Sequence, residues 1–180
     1  MARKAVFLDR DGTLIKGTEY LSSPEEVILL PNAAKGIRLF NEKGYLTIIV
    51  TNQSGIARGY FTEERLIEIH TRLLEILSGE GARIDAIYYC PHLAEGTVEA
   101  YSLDCECRKP GPEMLLRAAR EHQIELSGSL MIGDTPADIM AGRSAGCKTV
   151  LIQNSHEPFD MPVSPDYIAK DLVEVAFFLS

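Results

Sequence analysis

Two aspartates one residue apart, in Asp9-Arg10-Asp11-Gly12-Thr13, follow directly on a short apolar run, Ala5-Val6-Phe7-Leu8. Carboxylates at i and i+2 that leave the end of a strand face the same way. One can attack phosphorus as a nucleophile and form an aspartyl-phosphate. The other can protonate the leaving oxygen and later activate water. Two such charges beside a phosphate need a cation, and Asp134, in Gly133-Asp134-Thr135-Pro136-Ala137-Asp138, is the natural third carboxylate. Oxygen ligands of this kind suit a hard divalent ion, magnesium above all. Turns also favour Asp and Gly, so the pair alone fits a turn and helix cap equally well. Arg108-Lys109-Pro110 supplies fixed positive charge. Lysine can neutralise a phosphoryl oxygen, and arginine can grip a second anionic group with two parallel bonds. Thr51-Asn52-Gln53-Ser54-Gly55 offers a hydroxyl, amides and backbone N–H groups that can cradle phosphate oxygens, although by itself it fits a polar turn.

A second constellation is Cys90-Pro91-His92 followed by Cys105-Glu106-Cys107. One imidazole and three thiolates make a tetrahedral set with no open position, the mark of a structural zinc. Zinc would fix both ends of the intervening loop, Leu93 to Asp104, and hold Arg108 and Lys109, which follow the last ligand. The competing readings are a strained Cys105–Cys107 disulfide and free buried thiols. Cys147 precedes a strand and belongs to the core. His70 and His122 have no partners at ligand spacing and sit on helix faces; His156 lies in a loop. Tyr88 and Tyr89 pack in and beside a strand.

The elements that must position these groups alternate. Ala5 to Leu8 is a first strand and Asn32 to Lys43 a helix stopped by Gly44. Tyr45 to Val50 is a second strand. Thr62 to Leu77 is an amphipathic helix with Leu66, Ile69, Leu73 and Leu77 on one face. Ala86 to Tyr89, Ser129 to Ile132 and Thr149 to Ile152 are further strands. Pro112 to His122, Pro136 to Ala145 and Asp171 to Leu179 are helices, two of them opened by proline. Continuous apolar strands separated by helices imply an α/β fold with a parallel sheet covered on both faces. Ligands then bind beyond the carboxyl ends of the strands, where Asp9, Asp11, Thr51, Cys90, His92 and Asp134 all follow strands. Residues 93 to 104 form a long structureless stretch, and residues 154 to 165, rich in proline, a second loop.

The 180 residues fit one domain, and 46% are apolar, enough for a core without disulfides. A net charge of −8 excludes general attraction to nucleic acid or anionic membrane, so an anionic substrate needs a local positive site. No apolar run approaches bilayer length, and the first run is too short for a signal-peptide core. A cytoplasmic protein is expected, monomeric for want of an apolar seam, with three clustered cysteines pointing to metal rather than disulfide.

In order, Asp9-x-Asp11-Gly-Thr, Thr51, Lys109 and Gly133-Asp134-x-x-x-Asp138 resemble the four motifs of the haloacid-dehalogenase (HAD) superfamily of phosphohydrolases, from Phe7 to about Ile152. The resemblance implies a Rossmann-like HAD fold with Asp9 as nucleophile and Asp11 as general acid and base. It implies that Thr51 and Lys109 hold the phosphoryl group, and that magnesium is bound by Asp9, the main-chain carbonyl of Asp11, and Asp134. Cys-Pro-His with its long loop to Cys-x-Cys-Arg-Lys-Pro, together with Thr51-Asn-Gln-Ser-Gly-Ile-Ala-Arg-Gly59, resembles the D-glycero-D-manno-heptose 1,7-bisphosphate 7-phosphatases. One departure is Leu14-Ile15, where members often carry Asn. That likeness implies a zinc held by Cys90, His92, Cys105 and Cys107. It also implies a sugar bisphosphate substrate on the route to nucleotide-activated heptose for lipopolysaccharide or another surface glycan. By the same likeness Arg10, Gly17, Thr18, Glu19, Tyr20, Asn52, Gln53, Ser54, Arg108 and Thr135 line the substrate site, with Arg58 able to add positive charge. Arg108 recognises the part of the sugar that stays behind. Histidinol-phosphate phosphatases share the zinc ligands but have a shorter zinc loop and lack the Ser-Gly-Ile-Ala-Arg-Gly continuation; they remain the alternative. A non-catalytic sugar-phosphate-binding protein is a remoter one. About forty residues separate Asp11 from Thr51, which leaves no room for a separate cap domain.

Overall fold

The structure, a computed structural model, describes residues 3–153 and 163–179. Its centre is a parallel sheet. Strand β1 (Ala5–Leu8) leads through helix α1 (Ala33–Glu42) to β2 (Leu46–Asn52), and α2 (Glu63–Gly79) leads to β3 (Ala86–Cys90). After α3 (Glu113–His122) the chain enters β4 (Leu130–Gly133). Helix α4 (Pro136–Ala145), strands β5 (Lys148–Ile152) and β6 (Tyr167–Ala169), and α5 (Leu172–Phe178) complete it. The strand order is β3-β2-β1-β4-β5-β6. Leu8 is in register with Ile49 on one side and Ile132 on the other.

The order reverses between β1 and β4, and a crevice opens there at the carboxyl ends of the strands. Apolar alternation sets the two faces. Every residue of β1 is 0% exposed. Val6 and Leu8 join Ile37 and Phe40 of α1, Ile69 and Leu73 of α2, and Leu172 and Val175 of α5. Ala5 and Phe7 point the other way, to Met114 and Leu115 of α3 and Ala141 of α4. Each fully buried side chain of this size contributes roughly 1.5–3 kcal/mol.

Local chemistry starts the helices where the site needs them. Thr62 caps α2, its side chain accepting from Arg65 N at 3.3 Å, with Glu63 and Glu64 in the first turn against the positive helix end. Thr135 and Asp138 form a reciprocal capping box that opens α4, with Pro136 at its first turn. Gly146, at φ 88°, ends it.

Several sequence expectations need correction. The second strand starts at Leu46 and runs on through Thr51 and Asn52, which pair with Tyr89 and Cys90 of β3. Thr51, Asn52 and Cys90 are therefore the last residues of strands, because parallel pairing holds them there. The stretch from 93 to 104 is not structureless. It carries a 3-10 turn, Glu99–Tyr101, and Thr97 N and Val98 N both donate to Ala57 O, at 2.8 and 2.9 Å. β6 was not anticipated: it is three residues long, and Tyr167 and Ile168 are 42% and 58% exposed, so an edge position replaces the apolar run that marks a central strand. Most of the proline-rich loop, with His156, lies outside the described residues. Cys147 is buried in the core, and burial pushes its thiol up to about 12.

Between Asp11 and Thr51 the chain holds a short bridge of Ile15 to Leu29, a 3-10 turn at Pro24–Glu26, and α1. Among the described residues neither this segment nor that between Thr51 and Lys109 contains a further domain. No helix among them is long and apolar enough to cross a membrane.

Candidate active site

Four charged groups from distant parts of the chain meet in the β1/β4 crevice. Asp9 follows β1 and is tied to β4 by its backbone N–H, which donates to Ile132 O at 2.9 Å. Asp134 follows β4. Asp138 enters from the first turn of α4. Carboxylate oxygens of Asp9, Asp134 and Asp138 all lie within 4.8 Å of one another. Lys109 arrives from the loop behind the cysteines. Its Nζ donates to Asp9 Oδ1 at 2.8 Å, Asp138 Oδ1 at 2.6 Å and Val50 O at 2.8 Å. Two glycines make the approach possible. A Cβ on Gly12, at φ +81°, would lie 2.1 Å from Asp134 Oδ2, and one on Gly133 would lie 2.2 Å from Asp138 Cγ.

Three carboxylates face one ammonium in a dry place. Lys109 is 4% exposed, Asp9 8% and Asp138 1%. Burial, then the charge of Asp138, pushes Asp9 well above the usual carboxylate range. The same two causes, in the same order, push Asp134 up to about 6. Lys109 is shifted upward: burial works against its charge, but Asp9 and Asp138 outweigh burial. This excess of negative charge among oxygen donors fits a hard divalent cation, which would lower both raised carboxyls.

Asp11 stands apart from the three. Arg10 grips it with two bonds, Nε to Oδ1 at 3.1 Å and Nη2 to Oδ2 at 3.0 Å, and Gln53 Nε2 donates to its Oδ2 at 3.0 Å. Gln53 Nε2 also donates to Thr51 Oγ1 at 2.8 Å. Arg10 is 1% exposed, and its fork is taken up by Asp11, Gln53 and His70. Asn52 uses both ends of its amide on the Lys109 backbone, donating to the carbonyl and accepting from the N–H, each at 3.0 Å. Thr135 donates its hydroxyl to Asp138 at 2.7 Å, and its backbone N–H donates to the same carboxylate oxygen at 3.0 Å, so its side chain is engaged at the start of α4.

A cleft of about 260 Å³ opens beside this network, between residues 18–21, residues 52–55 and Phe61, with Arg10 and Asp11 at its floor. Thr18, Glu19, Tyr20 and Ser54 line it, and Gly17 backs onto Gly12. The Tyr20 ring meets Tyr60 edge-on at 4.8 Å, and the Arg58 guanidinium lies 5.5 Å over Tyr20. Arg108 is half-buried and donates to His92 O at 3.4 Å.

Cys90, His92, Cys105 and Cys107 gather as a unit. The three sulfurs are 3.0 to 3.4 Å apart, and His92 Nδ1 lies 3.3 Å from Cys107 Sγ. All four cysteines of the chain are unbridged, so the disulfide reading has no support. Burial raises the Cys90 thiol, which a metal would reverse. The donor set, three sulfurs and a nitrogen, is that of a four-coordinate structural site and fits zinc.

Sequence reasoning missed two contributors. Asp138 was noted only as part of a motif, although Thr135-x-x-Asp138 before an apolar helix is itself a capping-box signal. His70 was noted as a helix-face residue; its one signal was a polar ring on the apolar stripe of α2.

Residues 106–175 match the family model described as HAD-hydrolase-like. The D-glycero-beta-D-manno-heptose-1,7-bisphosphate 7-phosphatase of Rhodopseudomonas palustris is 43% identical over 80% of this chain and 80% of its own. The enzyme of the same name from Pasteurella multocida is 37% identical over 96% of this chain and 95% of its own. Among solved structures, the D,D-heptose 1,7-bisphosphate phosphatase of B. bronchiseptica, complexed with magnesium and phosphate, superposes with a TM-score of 0.81. It is 32% identical, covering 98% of this chain and 97% of that one. With relatives of this identity and coverage, the chain belongs to the D-glycero-D-manno-heptose-1,7-bisphosphate 7-phosphatase family of HAD-like phosphatases.

Proposed function

We propose that this chain removes the 7-phosphate of D-glycero-D-manno-heptose 1,7-bisphosphate through an aspartyl-phosphate on Asp9, with magnesium as its catalytic metal and zinc as a structural one. The observation that carries the reading is the meeting of Asp9, Asp134 and Lys109 at the β1/β4 crevice, in a chain whose relatives bear that activity in their names.

Lys109 grips Oδ1 of Asp9 and leaves Oδ2 for attack on phosphorus. As the Asp9–phosphorus bond forms, the bond from phosphorus to the sugar oxygen breaks, and Asp11 gives that oxygen its proton. Asp11 then takes a proton from water. The water oxygen attacks the phosphorus, and Asp9 departs as a carboxylate with inorganic phosphate as product. Thr51 and Lys109 hold the equatorial oxygens throughout. A magnesium ion held by Asp9, the main-chain carbonyl of Asp11, and Asp134 would supply charge neutralisation at the transferring group. The cleft at residues 18–21 and 52–55 takes the sugar, and Arg108 takes the phosphate that stays behind. Zinc on Cys90, His92, Cys105 and Cys107 fixes the loop that presents Arg108 and Lys109. We read the protein as a cytoplasmic, single-domain monomer.

Phosphate release with magnesium tests the substrate, across both anomers of the heptose bisphosphate, histidinol phosphate and fructose 1,6-bisphosphate. The highest kcat/KM is expected for a heptose bisphosphate; a best rate on histidinol phosphate would overturn the assignment. Asp9→Asn is expected to lower turnover by at least about 10³-fold. Equal release by wild type and variant would end the claim that Asp9 is the nucleophile.

A further inference from the structure

The buried face of α2 is apolar at Leu66, Ile69, Leu73 and Leu77, yet it carries His70, only 7% exposed. Its ring has two neighbours of consequence. Tyr89 lies beside it, with ring centroids 6.1 Å apart. On the other side Arg10 Nη1 meets His70 Nε2 at 3.1 Å. A guanidinium can only donate, so Nε2 must accept, and the ring is the neutral tautomer with its proton on Nδ1. Burial, and then the Arg10 charge, lowers His70 to about 3, in agreement with that assignment.

The contact matters because of what the rest of Arg10 holds. Nε and Nη2 grip the two oxygens of Asp11, and Nη2 also donates to Gln53 Oε1 at 3.1 Å. Gln53 in turn reaches both Asp11 and Thr51. A guanidinium is planar and rigid, so an acceptor at Nη1 fixes the direction of the other two nitrogens. Without that acceptor Nη1 would be a buried, unmet donor, and the plane would turn to satisfy it. The Asp11 carboxylate would turn with it.

We propose that His70 is a positioning residue for the acid–base step: by accepting from Arg10 Nη1 it sets the guanidinium plane that aims the Asp11 carboxyl group at the leaving oxygen. The proposal rests on the reading of Asp11 as general acid.

The test uses leaving-group dependence. A sugar alkoxide needs the proton of Asp11 to depart, whereas p-nitrophenolate leaves without one. His70→Leu removes the acceptor and keeps the bulk. Its kcat/KM on the heptose bisphosphate is expected to fall on the order of 10- to 100-fold, with less than about a 3-fold fall on p-nitrophenyl phosphate. His70→Gln, whose amide oxygen can accept, is expected to recover most of the loss. Equal falls on both esters, no fall, or no recovery by glutamine would each overturn the proposal. Asp11→Asn is run alongside. If it lacks the same selectivity, the acid–base reading itself fails; if it shows selectivity and His70→Leu does not, only the role of His70 fails. Nitrogen-15 NMR of the wild-type imidazole gives a readout independent of any variant. A protonated Nδ1 and bare Nε2 are expected, and a proton on Nε2 would overturn the proposal.

Discussion

Asp134→Asn separates the stability of the site from its function. Asp134 sits among like charges, and burial followed by the Asp138 charge raises its carboxyl from 3.8 to about 6. The difference is about 2 units, or roughly 3 kcal/mol at 1.36 kcal/mol per unit. The group is partly open to solvent, and screening reduces this to about 2 kcal/mol. A carboxyl raised in the folded state holds its proton more tightly there than in the unfolded chain. Its stabilising effect is therefore complete below pH ~4 and is lost as pH rises through about 6. Asparagine keeps the shape and never ionises. In EDTA at pH 8 the variant is expected to be more stable by about 2 kcal/mol, a Tm rise of about 4–8 °C for a chain of this length. The advantage should vanish near pH 4. Addition of magnesium should reverse the ranking, since a ligand at 100 times its Kd adds about 2.7 kcal/mol to the protein that binds it, and on the proposed reading the variant has lost one of the groups that hold the ion. Activity should fall with it. Differential scanning fluorimetry at pH 4 and 8, with EDTA or magnesium, reads all four states. A variant that melts no higher than wild type in EDTA at pH 8 would refute the crowded-carboxylate reasoning. An undiminished magnesium-induced rise would refute Asp134 as a ligand.

Lys109→Met leaves Asp9 and Asp138 buried without their shared cation, and urea denaturation in EDTA is expected to show a loss of about 3–5 kcal/mol. A loss under about 1 kcal/mol would mean that the pair relaxes into water. Metal analysis of the purified chain should give about one zinc per molecule, and Cys107→Ser should lose it together with thermal stability. A zinc-free protein with an unchanged melting curve would remove the structural metal.

The sheet was legible in the sequence because its strands are buried on both sides. Phe7-Leu8, Ile48-Ile49-Val50 and Met131-Ile132 are continuous apolar runs, and nothing else about them competes with a strand. β6 was not legible: Tyr167 and Ile168 face outward at the edge, so the pairing with Val150 and Leu151 is what makes it a strand. The chain position of Asp9, Asp134 and Lys109 was legible through the order of the motifs. The duties of Asn52 and Thr135 were not, because both are polar residues at element ends. Only the folded chain shows that one clamps the Lys109 backbone and that the other bonds Asp138 at the start of α4. His70 was hidden for the opposite reason, since a single ring on an apolar stripe has no spacing to read.

A chain of net charge −8 handles a doubly anionic substrate by concentrating its opposition. The buried cluster taken alone carries three carboxylates and one ammonium, and so repels phosphate. On the proposed reading two additions would reverse its sign: a divalent ion on the carboxylates, and the half-buried Arg108 beside the cysteine cluster. The first would make phosphate affinity conditional on the metal. The second would make it conditional on the loop that carries the cysteines. Chelating both metals should therefore weaken substrate binding more than either alone, with magnesium loss falling on both KM and turnover and zinc loss on KM. A zinc-stripped, magnesium-saturated enzyme with unchanged KM would break that division of labour.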